Sequence, residues 1–302
     1  MRRGSGRLVG GLVAALALLA IPTGASAEIT VDPAFTILYV KGDEGPNQIA
    51  VECQGGLVTV NGSPAANGQA SCTDLEKLHV FGFGGDDTIT LTGFAPDLSG
   101  ASGLAFDEYG SQPSFSVSGG EGNDILRGDA TDEIFNGGAG DDVLTAPGAL
   151  AALMSGGPGN DRLFGKSLLV DLMAGGPGDD RIGGSTGFSV GLGGDGADTI
   201  VGGRLSDFEV GGKGQDKLVG KAGRDALLGQ AGRDAIFGGA DDDTLAGGPG
   251  RDRLRGGPGR DKEFEGGLPH RGRKHLPGFA GILGGSDQIA LVGSRLLKRL
   301  TR

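Results

Sequence analysis

Gly193-Gly-Asp-Gly-Ala-Asp-Thr-Ile-Val201 opens a run of eight nonamers that reaches Phe264 without an insertion. Gly211-Gly-Lys-Gly-Gln-Asp-Lys-Leu-Val219 and Gly247-Gly-Pro-Gly-Arg-Asp-Arg-Leu-Arg255 belong to the same run. The shared pattern is G-G-x-G-x-D-x-U-x, with U a large aliphatic residue. Complete G-G-x-G-x-D hexamers start at Gly119, Gly137, Gly156, Gly175, Gly193, Gly211, Gly247 and Gly256. A lone glycine-rich hexamer is weak, but an in-register array is not, and a fixed short period implies stacked units.

The composition agrees. Of 302 residues 65 are glycine, about one in five where roughly 7% is ordinary. Glycine weakens helix and strand interiors, which argues against a conventional helical domain. There is no Gly-X-Y period, which excludes collagen. With no Trp and 2 Tyr, a large aromatic core is also unavailable. The glycines must therefore act at fixed positions. They permit tight and left-handed turns, and the x-U-x triplet reads as a short strand with U pointing inward.

The strongest repeats start at 119, 137, 156, 175, 193, 211, 229 (with Gln230 at the second glycine) and 247, so they recur every 18 or 19 residues. Two nonamers thus make one coil, and one edge is the better one. Its aspartates are Asp124, Asp142, Asp161, Asp180, Asp198, Asp216, Asp234 and Asp252. Its U residues are Leu126, Leu144, Leu163, Ile182, Ile200, Leu218, Ile236 and Leu254. The alternate units Pro147–Ser155, Lys166–Ala174, Gly184–Leu192 and Gly202–Val210 are degraded. They carry Met154, Met173, Gly191 and Glu209 at U, with apolar residues moved to positions seven and nine. A one-residue shift turns a strand over, so these units read as plain strands without metal loops or as local bulges. From Gly220 this edge recovers, with Asp225, Asp243 and Asp261, although Lys221 and Asp241 replace glycines.

Carbonyl oxygens freed by glycine, together with one carboxylate per unit, form a hard-oxygen shell suited to Ca2+. Residues 119–264 resemble the RTX, or haemolysin-type, calcium-binding repeat family. The resemblance implies an all-β, right-handed parallel β-roll (a β-solenoid) of nonapeptide repeats, with Ca2+ between stacked loops. The expected ligands are the eleven aspartates above and the turns opening at the eight hexamer glycines. About seven to ten ions are expected, and a loose or disordered array is expected without them, because the carboxylates stack.

Strand-like segments Thr36–Val40, Gln48–Cys53, Leu57–Asn61, Leu78–Phe81 and Thr88–Thr92 make 28–118 a β-rich unit with degenerate repeats. Gly45-Pro-Asn47-Gln-Ile49 and Gly82-Phe-Gly84-Gly85-Asp86-Asp87-Thr-Ile89 are partial motifs. This unit reads as a cap on an open sheet edge; a separate small β domain is the alternative. Cys53 and Cys72 read most simply as one disulfide, with two inert thiols as the alternative. Residues 265–302 form a basic tail with one partial repeat, Gly285-Ser-Asp287-Gln-Ile289.

Residues 1–27 read as a cleaved signal peptide: Arg2, Arg3 and Arg7, an apolar run from Leu8 to Ile21, then Ala25-Ser26-Ala27. The expected product is secreted, or held at the cell surface, with no transmembrane helix in 28–302. Residues 28–264 carry 17 Lys+Arg against 36 Asp+Glu. That balance speaks for cations and against nucleic acid; a cell-envelope or extracellular-matrix component is the candidate macromolecular partner. No enzyme is expected. H-E-x-x-H is absent, and Gly187-Phe-Ser189-Val-Gly191 matches a nucleophile elbow only by spacing. The pairs Asp86–Asp87, Asp141–Asp142 and Asp179–Asp180 fall inside repeats, where calcium or surface roles outrank those of glycosidase acids.

Overall fold

The structure is a computed structural model, and it describes residues 28–31, 37–94, 114–129, 132–184 and 186–266. Residues 1–27, read above as a signal peptide, and the basic tail beyond residue 266 lie outside the described residues.

The period-nine pattern folds into two 12-stranded sheets. The chain alternates between them, so one strand of each, with two turns, makes a coil. The first sheet runs from Glu28–Val31 and Ile37–Lys41 through Lys77–Gly84, Ser114–Glu121, Asp132–Ala139 and Ala151–Ser155. It continues through Val170–Pro177, Phe188–Asp195, Phe208–Gly214 and Ala226–Gly232 to Thr244–Ala246 and Lys262–Phe264. The second holds the x-U-x strands of the strong repeats, from Thr88–Thr92 and Ile125–Arg127 to Ala235–Ala240 and Arg253–Arg255. Within the array every neighbour pair is parallel. This is an all-β parallel solenoid.

Register is set by stacking like on like. In the second sheet Ile49, Ile89, Leu126, Leu144, Leu163, Ile182, Ile200, Leu218, Ile236 and Leu254 form one column. All but Leu254, at the open end, are buried. One nonamer cannot bury its aliphatic side chain, but the coils above and below do so for it.

The degraded units correct the expectation of a bulge or a turned-over strand. Asp171 pairs with Ser189, Met173 with Gly191, and Gly191 with Glu209, all in register. Position six and U stay inside, and Leu172, Val190 and Phe208 face outward at intermediate exposure. The physical reason is that each strand is locked by two parallel neighbours, so a one-residue slip would break both ladders at once.

At the N-terminal end the solenoid changes character. Glu28–Val31 pairs antiparallel with Ile37–Lys41, and Gln48–Gln54, Leu57–Val60 and Ser63–Pro64 form an antiparallel meander beside Thr88–Thr92. A short 3-10 turn, Ala65–Gly68, follows. Cys53 and Cys72 are disulfide-bonded. Buried Ala65, Ala70 and Leu75 pack on the same core as the ladder.

Replacing Ile200 with Ala should destabilise the folded chain by roughly 2–5 kcal/mol. Thr199→Ala, on the outer face of the same strand, should stay within about 0.5 kcal/mol. Urea unfolding in calcium measures both; equal costs would contradict the inward ladder.

Candidate metal centre

In each strong repeat the chain leaves a first-sheet strand, turns through G-G-x-G-x, and places its aspartate just before the second-sheet strand. That aspartate points inward and is held by its neighbours. The Asp124 N–H donates to Oδ1 of Asp142 at 2.8 Å. The same bond recurs from Asp142 to Asp161, Asp161 to Asp180 and Asp180 to Asp198, each at 2.8 Å. It continues from Asp198 to Asp216 at 2.9 Å, then from Asp216 to Asp234 and Asp234 to Asp252 at 3.0 Å. Each Oδ1 is thereby satisfied.

Each Oδ2 is not. Oδ2 of Asp87, Asp124, Asp142, Asp161, Asp180, Asp198, Asp216, Asp225, Asp234, Asp243 and Asp252 is buried without a hydrogen-bond partner. Buried polar atoms are ordinarily paired, so this column of anionic oxygens marks a place for a cation.

The first glycine of each motif shows what surrounds that oxygen. A Cβ on Gly119 would strike Oδ2 of Asp124 and crowd the Gly137 carbonyl of the next coil. Gly137 and Gly193 have the same surroundings one and four coils on. At Gly156, Gly175, Gly211, Gly247 and Gly256 the Cβ would strike the carboxylates of Asp161, Asp180, Asp216, Asp252 and Asp261. Main-chain and carboxylate oxygens thus converge where side chains are missing. The second glycine is fixed for another reason: Gly194 has φ +130°, and its Cβ would overlap the Gly176 carbonyl. Hard oxygens on a flexible shell fit Ca2+ rather than a soft or strictly octahedral metal.

The recovered edge forms a second column. The Ser189 N–H donates to Asp207, Asp207 to Asp225, Asp225 to Asp243 and Asp243 to Asp261, at 2.8–3.0 Å. Lys221 and Asp241, which stand where glycine is expected, keep the left-handed backbone at φ 82° each. The turn survives those departures at the cost of local strain.

Several site features escaped the sequence reading. Asp87 is a rung of the strong ladder: its N–H donates to Oδ1 of Asp124 at 2.8 Å. Its motif was visible, but 37 residues separate the two aspartates. Position five forms an outer ladder, in which the N–H groups of Asn123, Asp141, Asn160 and Asp179 donate to the side-chain oxygens of Asp86, Asn123, Asp141 and Asn160, each at 2.8 Å. Asp and Asn alternate, so like charges are not adjacent. The pairs Asp141–Asp142 and Asp179–Asp180 therefore split, one carboxylate outside and one inside. Position-five arginines do not pair with the inner ladder; the one ion pair among the described residues joins exposed Lys213 and Asp195.

Ser189 is buried in the strand Phe188–Asp195, not on a strand-to-helix elbow. Its Oγ lies 2.9 Å from Asp207 Oδ1 and 3.0 Å from Glu209 Oε1. Glu209 takes a core position, in room that Gly191 leaves open. Burial, and then the Asp207 charge, push its pKa up to about 8. His79, the histidine among the described residues, stacks on Tyr39 outside the first sheet with ring centroids 5.0 Å apart.

Comparison with known families matches the RTX calcium-binding nonapeptide repeat, in 4 copies, to residues 116–144, 153–167, 171–209, 210–245 and 237–262. Residues 116–262 are an RTX repeat array. No curated protein matches the chain. RTX repeats are calcium-binding repeats, and the orphaned Oδ2 column lies in their turns.

Without an ion the ladder resists ionisation. Burial raises Asp124, Asp161, Asp198, Asp216 and Asp243 to about 6, Asp142 and Asp180 to about 7, and Asp225 to about 8. Backbone hydrogen bonds oppose the rise, and neighbouring carboxylates add to it. A folded pKa above the unfolded value gives stability present below about pH 4 and lost as pH climbs through the folded values. In chelator, the β-sheet circular dichroism signal should therefore be stronger near pH 4 than near pH 8, and Ca2+ at pH 8 should restore it. A signal in chelator that does not change with pH would contradict this.

Proposed function

We propose that this is a secreted, non-enzymatic calcium-binding protein whose RTX turns take up a stack of Ca2+ ions and whose roll folds on binding them. The observation that carries this reading is the column of buried Oδ2 atoms without partners. Ca2+ would be held by Asp124, Asp142, Asp161, Asp180, Asp198, Asp216, Asp234 and Asp252 on the strong edge, and by Asp225, Asp243 and Asp261 on the other. Glycine carbonyls complete each shell. Seven intervals between the eight strong-edge rungs, and up to three on the second edge when Asp207 is counted with Asp225, Asp243 and Asp261, give seven to ten ions; Asp87 would extend the strong edge by one interval. The bound cation supplies positive charge that turns a repulsive stack into a cohesive one. The protein supplies order: Oδ1 is fixed by the neighbouring amide, leaving Oδ2 aimed at the turn. An oxidising exterior, where calcium is plentiful, suits both this requirement and the disulfide.

A second reading is a surface-attached or adhesive protein that calcium makes rigid. It draws on Leu168, Leu169 and Leu205, which are 52%, 52% and 51% exposed on the degraded edge. Cell fractionation separates the two, through release into the medium or retention on the envelope.

Asp180→Ala should lower the number of bound Ca2+ and raise the calcium midpoint of folding several-fold. Asp179→Ala, on the outer ladder, should leave the ion count unchanged. Calcium titration followed by circular dichroism, with ion counting by native mass spectrometry, reads both. Equal effects of the two variants would remove the assignment of the inner ladder.

A further inference from the structure

The two ends of the solenoid differ. The N-terminal end is covered by antiparallel strands and the disulfide-bonded meander. At the other end, the strands Arg253–Arg255 and Lys262–Phe264 are the last of their sheets among the described residues. Leu254 is only partly buried there, whereas every other residue of its column is buried. The last rung, Asp252, has no described rung beyond it to accept its N–H. An open parallel edge over an apolar ladder is a liability that solenoids cover with a capping segment.

The chain carries a segment of matching register. Gly45-Pro-Asn47-Gln-Ile49-Ala-Val51 and Gly285-Ser-Asp287-Gln-Ile289-Ala-Leu291 share Gly, Gln, Ile and Ala at the same positions, with Asn/Asp and Val/Leu exchanges. The structure shows what this pattern does at the N-terminal end. Gln48–Gln54 is a strand of the second sheet, with Ile49 beside Ile89 in the inner column. Asn47 is the first rung, and its N–H donates to Oδ1 of Asp87 at 2.7 Å. Each rung gives its N–H to a side-chain oxygen of the next, so a rung beyond Asp252 has to offer an acceptor. Position 287 is Asp.

The chain length permits the docking. Ile289 lies 35 residues after Leu254. The solenoid twice joins adjacent rungs across comparable lengths, 40 residues from Ile49 to Ile89 and 37 from Ile89 to Leu126. We propose that residues 285–292 add to the open end as a further second-sheet strand, with Ile289 over Leu254 and Asp287 accepting the Asp252 N–H. The docking rests on register and not on calcium occupancy.

The register sets Arg253 beside Gln288. The test uses the full chain in calcium with three cysteine pairs in the native disulfide background. Arg253→Cys/Gln288→Cys is the register pair. Ala235→Cys/Arg253→Cys, adjacent in the structure, reports whether the array has folded. Arg253→Cys/Thr301→Cys is the off-register control. Neighbouring parallel strands lie about 4.8 Å apart, within disulfide reach. The register pair should close within the chain at a rate comparable to the 235/253 pair and at least about tenfold faster than the 253/301 pair. Three results would overturn the docking: closure of 235/253 without 253/288, equal rates at 288 and 301, or a 253/288 link between two chains. The last would place a second copy at this end.

Discussion

A carboxylate with one oxygen bound and the other left over is the constraint on which this structure turns. Stacking parallel coils forces every position-six aspartate to face the same way. Its Oδ1 accepts the amide of the coil before it, which fixes the register of both edges. Its Oδ2 is buried without a partner. A buried unpartnered carboxylate is costly, and a column of them more so. The arrangement is sound with a hard cation between the turns, and poor without one unless the carboxylates take up protons. Glycine follows from the same constraint, because any side chain at Gly119 or Gly193 would fill the space where the oxygens meet.

The two edges of the roll divide the work. Between Gly119 and Asp252 the strong-edge motif is broken only by Gln230, and from Asp86 to Asp179 the inner carboxylates sit behind an outer ladder of alternating Asp and Asn. On the other edge, between Pro147 and Val210, the carboxylates thin out and leucines appear in the turns. The core changes with them: Gly191 and Glu209 occupy the column that Met154, Met173, Leu227 and Leu245 fill in neighbouring coils. Glu209 sits in the interior close to Ser189 and Asp207, with burial raising its pKa. The unpartnered inner carboxylate oxygens are thus concentrated along one line of the molecule.

Much of this was legible in the sequence, because the period is rigid. The eighteen-residue recurrence of strong motifs gave the two-nonamer coil, the inner aliphatic column and the rungs from Asp124 to Asp252 directly. What was not legible depended on neighbours. Asp87 belongs to the ladder, yet a long excursion separates it from Asp124, and a scan for constant spacing passes over it. Leu172, Val190 and Phe208 suggested a turned-over strand, because local apolar pattern is normally decisive. Parallel neighbours on both sides outweighed it. The outer Asp/Asn ladder is invisible to any one repeat, since its alternation appears only across coils.

The leftover Oδ2 atoms are the proposed calcium ligands. A crystal structure of the calcium-loaded chain, with the ions located by anomalous scattering, would decide this. It should show a file of ions along the strong edge, each touching Oδ2 of an inner aspartate and a glycine carbonyl in the turns. Ions bound only at Asp86, Asp141 and Asp179 on the outer ladder, or a strong edge without ions in saturating calcium, would contradict it.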